Sequence, residues 1–138
     1  MSPGWIADSS VGLAWVHFSQ ATPETNGLLA EARAGTPVVV PALWFAEVAN
    51  GLLVLKRRGK LTTAELKSCL LNIDSMSLTV DEPSIRAAVR GTPDLADAHG
   101  LTLYDATYLE AAIRLGLGLA TRDVPLKRAA KACGVKTL

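Results

Sequence analysis

Short apolar runs alternate along the chain with longer segments that carry helix signals. TPVVV at 36–40 is apolar after its first residue, which is typical of a strand buried on both faces. Strands that alternate with helices predict βαβ units and a parallel sheet. We therefore expect a single domain over residues 1–138, with a three-layer α/β/α fold and a central, mainly parallel sheet of four to five strands. The predicted strands are Gly4–Ala7, Thr36–Val40, Ser77–Val80, Leu117–Thr121 and Val135–Leu138.

Helix start and stop signals occupy the segments between these runs. Thr62 and Glu65 form a capping box, a local arrangement that begins a helix. The helix that begins at Asp81 is predicted to run through Val89, to break at 90–94 and to resume as far as Ala98. The other helices are predicted to begin near Ser9, Pro23, Pro41, Tyr104 and Asp123.

The helix predicted after Pro41 differs from the others in its polarity. Between Ala42 and Leu55 every residue is apolar or glycine except Glu47 and Asn50. A helix that is apolar on all sides is normally buried, and a buried glutamate needs a partner. Glu47 and Asn50 are three residues apart and therefore share one helical face. The sequence predicts a buried helix that presents an acid and an amide to a polar partner.

Composition and charge narrow the class of protein. Hydrophobic residues make up 49% of the chain, and 14 basic against 13 acidic residues give a net charge of +1. These values exclude a disordered chain and by themselves imply no polyanion partner. The isolated Cys69 and Cys133 are expected to be reduced thiols. The N-terminus lacks signal-peptide features, and no uncharged run is long enough to span a bilayer, so we expect a soluble cytoplasmic protein.

Four of the acids occupy positions that differ from those of the rest. Asp8 and Asp123 each follow the carboxyl end of a predicted strand, where ligands of parallel sheets bind. Glu47 lies on the helix after another strand, and Asp105 lies in the first turn of a helix. Taken singly, each has a structural explanation, as a helix cap, a partner of the helix dipole or a paired core acid. Together at one sheet edge they predict a carboxylate cluster.

Clustered carboxylates repel one another unless they share protons or bind a cation. No Cys or His lies near them in sequence, so the donors are all oxygen, which favours Mg²⁺ or Mn²⁺ over Zn²⁺. Such an ion suits hydrolysis of a phosphate ester. Other phosphate chemistries fit less well, since Ser10 stands where a haloacid-dehalogenase-like site needs an acid, and no GxxxxGK[ST] loop is present. Neither His17, expected at the surface, nor His99, expected at a helix end, suggests a catalytic triad.

Four separated motifs resemble one known family. ADSSVGLAW, PALWFAEVANGL, LTLYDATYLEAA and LATRDVPLKRAA occur in the order and spacing of PIN-domain ribonucleases. They are most similar to the VapC-type toxins of type II toxin–antitoxin systems. The resemblance extends from Trp5 to Val135. It is weakest at Arg90 to Asp97, where family members more often continue one helix.

The resemblance implies a role for each of the four acids. Asp8 and Asp105 would be the most direct ligands of Mg²⁺ or Mn²⁺. Asp123 would complete the metal shell or act through water, and Glu47 would orient or activate the attacking water. The polar residues that would support these carboxylates are Ser10, Asn50 and Thr121.

The basic clusters fit an RNA substrate, although a solvated charged face explains any one of them equally well. Arg122 adjoins Asp123 and is the strongest candidate. The other candidate RNA contacts are Lys56, Arg57, Arg58 and Lys127. The aromatic residues are expected in the core or an interface, namely Trp15, Trp44, Phe45, Tyr104 and Tyr108; of these, Tyr104 beside Asp105 is the candidate for base stacking.

The family further implies single-stranded or looped RNA as substrate, a homodimer, and a VapB-like antitoxin whose C-terminal segment covers the acids. Two alternatives remain open. The chain could be a PIN nuclease of housekeeping RNA processing with no antitoxin. It could also be a catalytically silent RNA- or protein-binding module, although the presence of all four acids argues against that.

Overall fold

Four short parallel strands form the central sheet in the computed structural model, which describes residues 3–138. Their spatial order is β3-β2-β1-β4. Ile6 in β1 lies opposite Val39 on one side and Leu119 on the other. The predicted α/β class and parallel sheet are therefore confirmed. The strands are β1 (Trp5–Ala7), β2 (Val38–Pro41), β3 (Thr79–Asp81) and β4 (Gly118–Ala120).

Helices flank the sheet, and most begin where the sequence signals place them. Thr22 and Thr62 both form capping boxes, and Gly100 and Gly116 end their helices in the left-handed conformation that glycine favours. A 3₁₀ turn covers Phe18–Gln20. The α-helices are α1 (Ser9–Val16), α2 (Pro23–Arg33), α3 (Leu43–Arg57), α4 (Thr63–Asp74), α5 (Ser84–Ala87), α6 (Thr92–His99), α7 (Leu103–Leu115) and α8 (Val124–Ala132).

The predicted last strand, Val135–Leu138, is reduced to a single bridge. Thr137 pairs in parallel with Leu119, and the Leu119 amide donates to the Lys136 carbonyl over 2.8 Å. Because β4 has only three residues, its outer edge offers little backbone for a longer ladder. The chain end therefore touches the sheet without extending it.

Helix α3 is less buried than its composition predicts. Pro41 closes β2 and does not open the helix, which begins at Leu43. Trp44, Val48 and Leu52 are fully buried, at intervals of about one turn. The opposite side, which includes Asn50, is exposed. One face of the helix thus packs on α1 and α4, so the prediction of a buried helix holds for that face and not for the exposed one.

The break predicted near residues 90–94 is present but shorter, because α5 ends at Ala87 and α6 begins at Thr92. Asp81, expected to begin a helix, is instead the last residue of β3 and is buried. Its carboxylate accepts two hydrogen bonds from Arg114, at 2.5 and 3.1 Å. Asp81 is therefore a buried ion-pair partner, which its local sequence could not reveal.

His17 is also placed differently from the prediction. It is buried, its ring stacks on exposed Phe18, and its Nδ1 lies 2.5 Å from the Ser19 hydroxyl oxygen. Packing of α4 beneath the end of α1 buries it, as the hydrogen bond from Cys69 to the Val16 carbonyl shows. Within residues 3–138, every helix is too short or too polar to cross a membrane.

Candidate active site

Asp8 lies at the carboxyl end of β1 and caps α1. Its Oδ1 accepts hydrogen bonds from the Ser10 hydroxyl at 2.6 Å and from the Val11 amide at 3.1 Å, and its Oδ2 accepts one from the Thr121 hydroxyl. Only 4% of the residue is exposed. Burial raises the pKa of this carboxyl, while the three hydrogen bonds act in the opposite direction.

The segment after β4 is tied to Asp8 through two hydroxyl groups. The Thr121 hydroxyl oxygen accepts the Asp123 amide at 2.9 Å, and the Ser10 hydroxyl oxygen accepts the Arg122 amide at 2.9 Å. Asp123 then caps α8 by accepting the Leu126 amide at 2.9 Å. The predicted supporting residues Ser10 and Thr121 therefore join the ends of two adjacent strands and orient the Asp8 carboxylate.

Glu47 faces the site from α3. Its Oε1 accepts a hydrogen bond from the Tyr108 hydroxyl at 2.5 Å. Burial raises the pKa of Glu47, the bond from Tyr108 opposes this, and the charges of Asp105 and Asp8 raise it further. The indole of Trp44, one turn before Glu47, donates to the Asp8 carbonyl over 2.9 Å and thereby fixes α3 beside Asp8.

Asp105 lies in the first turn of α7, where its amide donates to the Thr102 hydroxyl at 3.1 Å. Burial raises the pKa of its carboxyl, and the negative charge of Asp123 adds to the effect. Asp105 in turn raises the pKa of both Asp8 and Glu47. The four acids therefore form one electrostatic cluster, in which each is close enough to affect at least one other.

The remaining predicted site residues lie further out. Asn50 is exposed, and its side chain makes no hydrogen bond in the described part of the chain. The Arg122 guanidinium contacts the Gln20 side-chain oxygen at 3.1 Å. Lys127 lies on α8 and is half-buried. Lys56, Arg57 and Arg58 end α3 and begin nine residues after Glu47, which is about 14 Å along a helix.

Tyr108 is a site neighbour that the sequence reasoning did not assign. It was expected in the core, and its ring is indeed buried, yet its hydroxyl reaches Glu47. The available signal was its spacing, since it follows Asp105 by three residues and so shares that face of α7. Burial, followed by the bond to Glu47, raises the pKa of the phenol, so Tyr108 acts as a hydrogen-bond donor.

The donor set suits a hard divalent cation, because it consists of carboxylates with hydroxyl groups behind them. Burial first, and the charges of neighbouring acids in addition, raise the pKa values of Asp8, Glu47 and Asp105, and a bound cation would offset both effects. As the side chains stand, no three Asp, Glu, His or Cys residues of 3–138 are grouped tightly enough to hold an ion. The acids therefore fit a hard metal by the chemistry of their donors, and their side chains would have to move closer together to coordinate it.

Comparisons with known proteins agree with this architecture. The chain superposes on PAE2754 from Pyrobaculum aerophilum with a TM-score of 0.71 and 23% identity, over 98% of this chain and 83% of that one. FitAcB from Neisseria gonorrhoeae gives 0.59 and 20%, over 97% and 96%. FitAB bound to an IR36 DNA fragment gives 0.51 and 20%, over 97% and 93%. At these identities the likeness shows the fold alone.

Sequence comparison supplies the family. No functionally curated protein matches the chain significantly. The family model of the PIN domain, however, matches residues 6–132, which include all four acids. The chain therefore belongs to the PIN-domain family, a nuclease superfamily whose members typically use divalent metals.

Proposed function

We propose that this protein is a metal-dependent endoribonuclease that hydrolyses RNA phosphodiester bonds. The observation that carries the proposal is the electrostatic cluster of Asp8, Glu47, Asp105 and Asp123 in a PIN domain. Glu47 belongs to it although it lies on a helix that otherwise packs through an apolar face. Keeping several carboxylates close together is unfavourable for folding, and cation binding gives that arrangement a function.

Asp8 and Asp105 are the residues that would hold Mg²⁺ or Mn²⁺, with Asp123 completing the set. When bound, such an ion polarises a phosphodiester and lowers the pKa of a water molecule. Asp8 is suited to the role because its Oδ1 already accepts two hydrogen bonds, whereas its Oδ2 accepts one and retains a free lone pair. Glu47 would orient the attacking water, and Ser10 and Thr121 keep the Asp8 carboxylate in one rotamer.

We further propose that Arg122 and Lys127 contact the phosphates of the RNA next to the cluster. Lys56, Arg57 and Arg58 would contact the strand about 14 Å further along α3. Asn50 would support the carboxylate of Glu47, which lies three residues before it on α3. The hydrogen bond to the uncharged Gln20 side chain uses only one donor of the Arg122 guanidinium. The other donors and the positive charge are therefore available to a phosphate.

The biological role that we propose is that of a VapC-type toxin in a type II toxin–antitoxin system, acting as a homodimer in the cytoplasm. The four motifs support it, because they resemble those of VapC-type toxins in order and spacing. A VapB-like antitoxin would cover the acids with its C-terminal segment. Cationic residues on that segment would satisfy the carboxylates in place of the metal.

Cleavage of RNA by the purified protein tests the enzymatic proposal. We expect cleavage with Mg²⁺ or Mn²⁺, none with EDTA, and losses of at least about 10²-fold in Asp8→Ala and Asp105→Asn. Asp97→Asn, on an exposed face of α6, is the matched control and should cleave normally. Cleavage that persists in both site variants would overturn the proposal.

Metal binding is measurable without any substrate. Mg²⁺ or Mn²⁺ should raise the melting temperature, since a ligand at 100 times its dissociation constant stabilises by about 2.7 kcal/mol. The rise should disappear in Asp8→Ala and persist in Asp97→Asn. Calorimetric titration that detects no Mn²⁺ binding would instead favour a silent binding module.

Expression of the chain in a bacterial host separates the toxin role from housekeeping RNA processing. A toxin should arrest growth, and co-expression of the small protein encoded beside it should relieve the arrest. Harmless expression of a protein that cleaves RNA in vitro would favour RNA processing. Asp8→Ala is the control, because loss of cleavage should abolish the arrest without preventing expression.

A further inference from the structure

The hydrogen bond between Tyr108 and Glu47 joins α3, which carries Glu47, to α7, which carries Asp105. Glu47 lies on α3, which packs on α1 and α4, whereas Tyr108 lies on α7, which packs on α6 and the sheet. The contact spans 61 residues of sequence and is 2.5 Å long. It is therefore a tertiary link and not a feature of either helix alone.

We propose that Tyr108 is a positioning residue, which holds the Glu47 carboxylate in the orientation needed for RNA hydrolysis. This inference rests on the proposed nuclease function. The Tyr108 ring is 1% exposed, so core packing fixes the direction in which its hydroxyl points. Glu47 is only half-buried, and its flexible side chain has no other hydrogen-bond partner among residues 3–138. The rigid partner thus determines the position of the flexible one.

The geometry also gives the two carboxylate oxygens of Glu47 different roles. Oε1 is engaged by Tyr108, which leaves Oε2 as the oxygen available to a water molecule. A carboxylate that rotates freely would present either oxygen in many orientations, and catalysis loses rate when a group is displaced by about 1 Å. Tyr108 and Asp105 occupy one face of α7. The same helix therefore determines the position of Asp105 and, through Tyr108, the orientation of the Glu47 carboxylate.

Tyr108→Phe isolates the hydroxyl while keeping the ring in the core. We expect kcat on RNA to fall at least about tenfold with KM within about twofold, because the hydroxyl affects the reacting geometry and not RNA binding. Thr79→Val is the control: it removes an exposed hydroxyl of β3 that makes no hydrogen bond in the described residues, and it should leave kcat unchanged. In the E47Q background, Y108F should cause no further loss of kcat. Normal kcat in Y108F, or an equal fold-loss in the E47Q background, would overturn the inference.

Melting of the metal-free protein gives a second readout that needs no catalysis. Y108F should lower the melting temperature when Glu47 is present, because the carboxylate loses its donor. In the E47A background the same substitution should lower the melting temperature by less, because the hydroxyl then has only its contact with Ser9 to lose. Equal losses in both backgrounds would show that Tyr108 does not restrain Glu47. A wild-type protein without nuclease activity would overturn the proposed function, and this melting cycle would still decide whether Tyr108 positions Glu47.

Discussion

Thr121 donates its hydroxyl hydrogen to Asp8, which lies 113 residues earlier in the chain. The same hydroxyl oxygen accepts the amide hydrogen of Asp123 at 2.9 Å. One buried hydroxyl therefore connects the ends of β1 and β4 and restrains two of the four acids. Stability and activity should both depend on it.

Thr121→Val keeps the shape of the side chain and removes the hydroxyl. Asp8 and the Asp123 amide each lose a partner, so we expect a loss of about 1–3 kcal/mol in the free energy of unfolding, with a parallel loss of RNA cleavage. Denaturant unfolding measures the first effect. Thr79→Val, at an exposed position of β3, should change stability by less than about 0.5 kcal/mol. Wild-type stability in T121V would contradict the importance of this contact.

Gly12 allows α1 and α3 to approach closely. A Cβ at this position would lie 2.6 Å from the Trp44 ring and 2.6 Å from a Val48 methyl group. Gly12→Ala should therefore lower the unfolding free energy by about 1–3 kcal/mol. It should also reduce cleavage, because the added methyl group would push α3 away from α1 and would move Glu47 away from Asp8. Gly27→Ala is the control, since no atom lies within 4 Å of its Cβ position, and it should stabilise by about 0.4–1 kcal/mol. Normal stability of G12A would show that the helices adjust without strain.

Asp105→Asn should raise the melting temperature of the metal-free protein by a few degrees at neutral pH. Burial and the charge of Asp123 raise the pKa of Asp105 above its usual value of 3.8. The contribution of Asp105 to stability is therefore most favourable below pH 3.8 and is lost as the pH rises through the folded-state pKa. The advantage of D105N should accordingly be largest at neutral pH, should shrink as the pH falls through the raised folded-state pKa, and should be absent below pH 3.8. Asp97→Asn, on an exposed surface, should show no such pH-dependent gain, and a D105N protein less stable than wild type at pH 7 would contradict the repulsion.

Arg114→Met should destabilise the protein through Asp81. The buried Asp81 carboxylate accepts both bonds from Arg114 and would be left without its cation. Since Arg114 is itself 31% exposed, we expect about 3 kcal/mol, the lower end of the range for breaking a buried pair. Thermal and denaturant unfolding measure this loss. Arg86→Met, in the last turn of α5 and outside any ion pair of the described residues, should have little effect.

Local sequence signals were sufficient for the order of the elements and for the position of the acids along them. Thr62 caps its helix because the partner, Glu65, is one turn away. Asp8 and Asp123 could be placed after strands for the same reason, since each also caps the helix that follows. The predicted last strand formed only one bridge because the length of a strand depends on the neighbouring strand as well as on its own sequence.

Only the tertiary structure decided which side chains meet. The partners of the key polar groups are distant in sequence, with Tyr108 and Glu47 separated by 61 residues and Arg114 and Asp81 by 33. Burial of His17 likewise depends on contact with α4, which the sequence around residue 17 could not indicate. The sequence by itself determined the elements, the sheet edge and the four acids, because these depend on neighbours within a turn or a strand. The orientation of each acid required the fold, because the strand order and helix packing bring its hydrogen-bond donors from elsewhere in the chain.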